Sequence, residues 1–307
     1  MKAIQSLIDN IEKVIVGKRS VIELAAVSLL CRGHVLLEDV PGTGKTMLAR
    51  ALARSVAVDM KRLQCTPDLL PSDITGVPIY NQKTMDFEFR PGPAFTNILL
   101  ADEINRATPR AQSALLECME EFRVSVDGQT YELPEVFMVL ATQNPIDMAG
   151  THPLPEAQLD RFFVRLHVGY PTLEQEMRIL DAQAKGHPID SLQPVIGSAE
   201  VLAARDAVRN VYINADVARY IVQISDATRR HPDLRLGASP RGSLALARGA
   251  QGMAYLGGKD FVTPDIVKLM AGAVLEHRLI LRPQAAALGR TARDVLNEIL
   301  NQLPTPV

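Results

Sequence analysis

Apolar residues fall in short blocks along the first half of the chain, and polar, helix-patterned stretches separate them. The blocks "HVLLE" (34–38), "KRLQC" (61–65), "NILLAD" (97–102), "VFMVLAT" (136–142) and "FVRLHV" (163–168) read as strands. The stretches "KTMLARALARSVA" (45–57) and "PRAQSALLECMEEF" (109–122) repeat their apolar positions three and four residues apart, the period of an amphipathic helix. Strands of near-continuous apolar character suit a parallel sheet covered on both faces. Their alternation with helices predicts a doubly wound α/β layer.

One segment breaks the alternation. In "TGVPIYNQKTMDFEFRPGP" (75–93), two runs with period-two patterning flank the polar turn "NQKT". This predicts a β-hairpin inserted between the second and third core strands. Tyr80, Phe87 and Phe89 sit at alternating positions on it, some exposed and some packed on the core.

After residue 170 the strand signal fades. Thr172 is placed to cap a helix with Glu174 and Glu176 in its first turn. "NADVARYIVQISDATRR", "SPRGSLALARGAQGMAYL", "TPDIVKLMAGAVLEHRL" and "RTARDVLNEIL" are further helices that open on residues suited to a helix start or the turn before it. The expected organisation is an α/β core over 1–190 and a smaller all-helical domain over 191–307, with "AKGHPIDSLQPVIG" (184–197) as the linker.

Composition narrows the class. The chain has 307 residues, 47% hydrophobic and 22% charged, an ordinary globular balance. A formal net charge of −2 supplies no global field toward nucleic acid. Cys31, Cys65 and Cys118 lie far apart with no C-x-x-C spacing, which argues against a zinc site or a disulfide framework. Reduced thiols fit a cytoplasmic setting. The N-terminal "MKAIQSLIDNIEKVI" has helical spacing and no signal-peptide character, and no run approaches the length of a membrane span.

The candidate chemistry begins at "PGTGKT" (41–46), which stands between a strand and a helix. Gly42 and Gly44 let backbone N–H groups crowd around an anion, and the helix that follows adds its positive end. Lys45 is placed to reach outer phosphates, and the Thr46 hydroxyl to ligate Mg²⁺. The general loop pattern asks for glycine at position 39, where this chain has Asp39. "NILLADE" is an apolar strand that ends on two acids, and in an open sheet such an end lies beside the phosphate loop. Asp102 would hold Mg²⁺ through water, and Glu103 would polarise the attacking water. Asn144 closes another strand and could orient that water, although taken alone an Asn-Pro turn is the better account of it. Taken alone, Arg161 and Arg241 read as surface ion pairs more readily than as catalytic groups.

"LLEDVPGTGKT", "TPDLLPSDITG", "ADEINRATPRAQSALLECMEE", "ATQNP", "LPEAQLDRF" and "GASPRGSLAL" resemble, in order, the motifs of the MoxR family of AAA+ ATPases. That family belongs to the group with a hairpin inserted in the second helix. The resemblance implies a P-loop core with a helical lid, and ATP and Mg²⁺ as cofactors. Pro41, Gly42, Thr43, Gly44, Lys45 and Thr46 would be the Walker A segment, and Asp102 and Glu103 Walker B. Asn144 would be sensor 1, Arg161 the arginine finger acting on a neighbour's γ-phosphate, and Arg241 sensor 2. Val16 and Gly17 match the segment near adenine in relatives.

The implied function is ATP hydrolysis in a ring, a hexamer, with a chaperone-like role on a protein complex. Partners in this family often carry a von Willebrand factor A domain. Similar chains also show "EDVPG", so Asp39 reads as a tolerated variant. A nucleic-acid motor and a non-hydrolysing ATP-dependent scaffold stand as the alternatives. The hairpin turn carries one cation, Lys83, and the net charge is slightly negative, which argues against nucleic acid; with no span-length run, no membrane insertion is expected.

Overall fold

The computed structural model describes residues 2–40, 42–144, 150–184 and 186–306; Pro41, in the phosphate loop, and Lys185, in the linker stretch, lie outside the described residues. The strands are β1 (Val35–Glu38), β2 (Met60–Gln64), β3 (Gly76–Asn81), β4 (Asp86–Pro91), β5 (Ile98–Asp102), β6 (Arg123–Val126), β7 (Gln129–Glu132), β8 (Met138–Gln143), β9 (Val164–Leu166), β10 (Leu234–Leu236) and β11 (Ile280–Leu281). The five strands expected from the apolar blocks form one sheet, in the order β2-β5-β8-β1-β9, with every pair parallel.

Period-two alternation divides each inner strand between two layers. Val35, Leu37, Ile98, Leu100, Met138 and Leu140 face one apolar cluster, while Leu36, Leu99, Ala101, Val139 and Ala141 face the other. Helix Pro109–Glu121 covers the second face, and helices Lys2–Glu12, Arg19–Leu30 and Lys45–Val56 cover the first. The outer strand β2 keeps only Leu63 buried and carries Lys61, Arg62 and Gln64 exposed, a polar edge that discourages further strand addition.

His34, just before β1, is buried, and burial pulls its pKa down to about 4. The neutral ring accepts from the Val139 N–H through Nδ1 and donates from Nε2 to the Met119 carbonyl, each at 2.9 Å.

The expected hairpin is β3 with β4, leaving the core between β2 and β5. A second hairpin, β6 with β7, was not anticipated. Its loop is the pair Asp127-Gly128, with φ of 50° and 76°, the left-handed pair of a tight two-residue turn. The two hairpins meet through their side chains. Phe89 of β4 stacks on Tyr131 of β7 at 4.0 Å between ring centroids, and Phe95 meets both edge-on. Tyr80, Met85 and Phe87, at the far end of the first hairpin, are exposed.

The C-terminal part is helical, as expected, with Asn214, Ser239 and Thr291 capping three of its helices through their side chains. It also carries one short antiparallel pair, β10 with β11. Its apolar residues are continuous with the first sheet face: Leu246 and Val274 belong to the same cluster as Val35. No helix among the described residues is long and apolar enough to cross a membrane.

Arg278 seals the junction between lid and core. Its side chain is 3% exposed and donates to Asp160 Oδ1 at 2.8 Å. It also donates to the carbonyls of Phe162, Phe163 and Val274. Burial pulls its pKa down, and the Asp160 charge opposes that shift. Arg278→Ala removes the cation that faces Asp160 and a donor from three carbonyls, and should cost about 3–5 kcal/mol in a denaturant titration. Arg230→Ala, which breaks an exposed pair with Asp226, should cost less than about 1 kcal/mol in the same titration.

Candidate nucleotide site

The parallel register lines up polar strand ends at one edge of the sheet. Gln64 lies beside Asp102, and Glu38 beside Gln143. Helix Lys45–Val56 starts at this edge, one loop after β1. Gly42 and Gly44 take φ of 84° and 91°, a backbone that L side chains rarely adopt. A Cβ built on either glycine would meet no atom within 4 Å, so this side of the loop is open to a ligand.

Two cavities flank the loop and share Gly42, Gly44 and Met47. One, of about 440 Å³, brings Lys45, Thr46, Asp102, Glu103 and Asn144 together with Arg62, Gln64 and Thr142. The other, of about 200 Å³, is lined by Val16, Thr43, Val168 and Ile179 with Lys18, Gln183 and His187, a mostly apolar slot next to a polar one. Gly17 stands beside that slot, where its carbonyl accepts from the Gln175 side chain at 3.1 Å. A base on one side of the loop and phosphates on the other is the division a nucleotide requires.

The charged groups are held in detail. Lys45 donates from Nζ to the carbonyls of Asp39 and Val40 at 2.6 and 2.9 Å. Partial burial lowers its pKa, against the pull of Asp39, Asp102 and Glu103. The Thr142 hydroxyl donates to Asp102 Oδ1 at 2.6 Å and accepts from the Glu103 N–H at 2.8 Å. Glu103 sits in the left-handed region, φ 57°, so one tethered turn aims two adjacent carboxylates into the same cavity. Glu103 also receives Arg106 at 3.3 Å and Gln64 at 3.4 Å. Arg62 donates to Asp102 Oδ2.

Sequence reasoning missed Arg62, Gln64 and Thr142. The first two are two residues apart on β2, hence on one face, and only the register with β5 shows that this face meets Asp102.

Asp39 turns away from the loop amides. Its Oδ2 accepts from the N–H groups of Val168 and Gly169 at 2.5 and 2.9 Å, which ties the exit of β1 to the exit of β9. The acid at the position where the general pattern has glycine is thus a brace between strand ends.

Arg161 and Arg241 do not join the cavity at Lys45. Both reach Glu120, near the end of helix Pro109–Glu121: Arg161 at 3.1 Å, Arg241 through Nη2. They line a separate cavity of about 250 Å³, where five arginines face Glu120 and Asp160 alone among carboxylates.

The residues present suit a Mg²⁺ nucleotide. Among the described residues no group of three or more His, Cys, Asp or Glu side chains could hold a metal by itself. A single carboxylate with a hydroxyl is the donor set of a Mg²⁺ that arrives on phosphates, and Asp102 and Thr46 supply it.

Residues 34–164 match the ATPase family associated with various cellular activities (AAA), and residues 226–299 match the AAA lid domain. The chain is 52% identical to the uncharacterized protein YeaC of Bacillus subtilis, over 98% of this chain and 94% of that one. It is 39% identical to the chaperone MoxR1 of Mycobacterium tuberculosis, over 99% and 82% respectively. The crystal structure of a Cytophaga hutchinsonii protein assigned as an ATPase superposes with a TM-score of 0.93 at 38% identity, covering 100% of this chain and 96% of that one. With its loop, its strand-end acids, its inserted hairpin and its lid in this arrangement, the chain belongs to the MoxR family of AAA+ ATPases.

Proposed function

We propose that the protein is a Mg²⁺-dependent ATP hydrolase that works as a cytoplasmic ring, a hexamer, and remodels or matures a protein complex. One observation carries the reading. Lys45, Thr46, Asp102, Glu103 and Asn144 share a cavity, while Arg161 and Arg241 stand together on Glu120, outside it. A second copy that presents its Glu120 face to this cavity would supply the missing cations.

In this reading residues 1–190 are the nucleotide-binding core and 191–307 the lid. Val16 and Gly17 border the base, and the loop from Pro41 to Thr46 wraps the phosphates. Lys45 leaves the Asp39 and Val40 carbonyls for the outer phosphates. Thr46 and Asp102 hold Mg²⁺, which neutralises phosphate charge. Asn144 orients a water, and Glu103 takes its proton as the oxygen bonds to the γ-phosphorus and the bond to the bridging oxygen breaks. Arg161 and Arg241 of the neighbouring copy stabilise the charge on the transferring group. Tying hydrolysis to a neighbour's arginines makes turnover conditional on assembly.

The client contact is placed on the first hairpin, whose Tyr80, Met85 and Phe87 are exposed. Proteins with a von Willebrand factor A domain are the partner class to test. The braced carboxylate of Asp39 supports hydrolysis over an inert scaffold, and the net charge of −2 supports a protein client over nucleic acid. Turnover should therefore be unchanged by added DNA, and strong stimulation would favour a motor.

Glu103→Gln should bind ATP normally and release phosphate about 10²-fold or more slowly. Equal turnover would remove Glu103 from the mechanism.

Arg161→Ala should keep ATP affinity and lose about 10³-fold in turnover. Mixing it with Lys45→Ala should restore part of the activity, because an intact arginine from one chain can face an intact loop of the other. Absence of rescue in verified mixed rings would assign Arg161 a role within its own chain.

Asp39→Gly should change ATP affinity less than about tenfold in a titration with a fluorescent analogue. It should lower stability by about 1–3 kcal/mol, since two part-buried N–H groups lose their acceptor. A hundredfold tightening would mean that the acid does oppose the phosphates.

A further inference from the structure

Both oxygens of Asp102 are engaged by side chains of this chain. Thr142 donates to Oδ1 at 2.6 Å, and Arg62 donates to Oδ2 twice, from Nε at 3.1 Å and from Nη2 at 2.6 Å. The Asp102 side chain is 14% exposed, so little water competes with these contacts. Arg62 comes from the outer strand β2, is 54% exposed, and is steadied by Gln64 Oε1 at 2.9 Å. It lines the same cavity as Lys45 and Thr46. A half-exposed arginine that places two donors on one oxygen of the metal-bearing acid is more than a surface pair.

Resting on the nucleotide site read above, we propose that Arg62 is a positioning residue that stands in for Mg²⁺ on Asp102 and yields that oxygen when the metal-nucleotide arrives. The two cations share an anchor. A guanidinium within 3 Å of Oδ2 and a hydrated Mg²⁺ at the same oxygen repel each other, so binding one releases the other. While Arg62 is in place, Asp102 is held at both oxygens and its charge does not repel an incoming polyphosphate. The exchange sets how much Mg²⁺ the protein needs, because the metal must displace an internal cation.

The test is a Mg²⁺ titration of nucleotide binding, read with a fluorescent ATP analogue and independent of turnover. Wild type, Arg62→Gln and Arg62→Lys are compared, from EDTA to saturating Mg²⁺. Gln keeps a hydrogen-bonding group and removes the charge; the site is half-exposed, so the fold tolerates it. Arg62→Gln should bind the analogue about fivefold more weakly in EDTA, where the Asp102 charge is now unmasked, and within about twofold of wild type at saturating Mg²⁺. Its Mg²⁺ midpoint should fall by the matching factor, since linkage is reciprocal. Arg62→Lys, which keeps the charge, should lie between the two.

Identical midpoints and EDTA affinities in wild type and Arg62→Gln would overturn the proposal. So would equal weakening with and without Mg²⁺, which would make Arg62 a simple phosphate contact. A wild-type protein that binds no analogue at any Mg²⁺ concentration would instead overturn the nucleotide reading itself, and with it this inference.

Discussion

The Arg278 guanidinium, withdrawn from water between lid and core, is the interaction on which the placement of Arg161 and Arg241 depends. It holds the Asp160 carboxylate, and the other oxygen of that carboxylate accepts from the Ser239 hydroxyl at 2.9 Å. Asp160 immediately precedes Arg161. Ser239 caps the helix whose second residue is Arg241. One partly buried carboxylate therefore fixes the origin of both arginines, and Glu120 gathers their ends. Such a pair contributes little net stability, because both ions surrender hydration. What it contributes is geometry, at the point where the lid could otherwise pivot on the core.

The sheet edge obeys a similar logic with weaker forces. Parallel strands end their side chains at a common border, and the polar residues at those ends must be satisfied by one another. Asp39 braces two strand exits, Thr142 bridges Asp102 to the Glu103 backbone, and Lys45 rests on two loop carbonyls. Every charged group at the site is thus already in a hydrogen-bonded arrangement, and nucleotide chemistry requires exchanging those partners.

Much of this was legible in the sequence because it is local. The five apolar blocks reported the sheet, "PGTGKT" reported the loop, and helix-start residues reported the lid. What escaped was either non-local or weakly patterned. Arg62 and Gln64 acquire meaning only through the register between β2 and β5. The meeting of Arg161 and Arg241 depends on a fold that brings together positions 80 residues apart. The second hairpin did carry a local signal, the Asp-Gly pair in "VDGQTY", but its strands alternate too few apolar residues to stand out. The β10–β11 pair is so short that helix-like neighbours mask it.

The stacked rings of Phe89 and Tyr131 give the protein a mechanical property. The first hairpin is joined to the second by side chains as well as by its own two-stranded root. The second is rooted in turn at the end of helix Pro109–Glu121, the turn that carries Glu120. A load applied at the exposed tip is therefore divided between two beams, one of which ends under the arginine clamp. The two hairpins therefore share one aromatic joint, Phe89 on Tyr131 with Phe95 across both, beside the turn that carries Glu120.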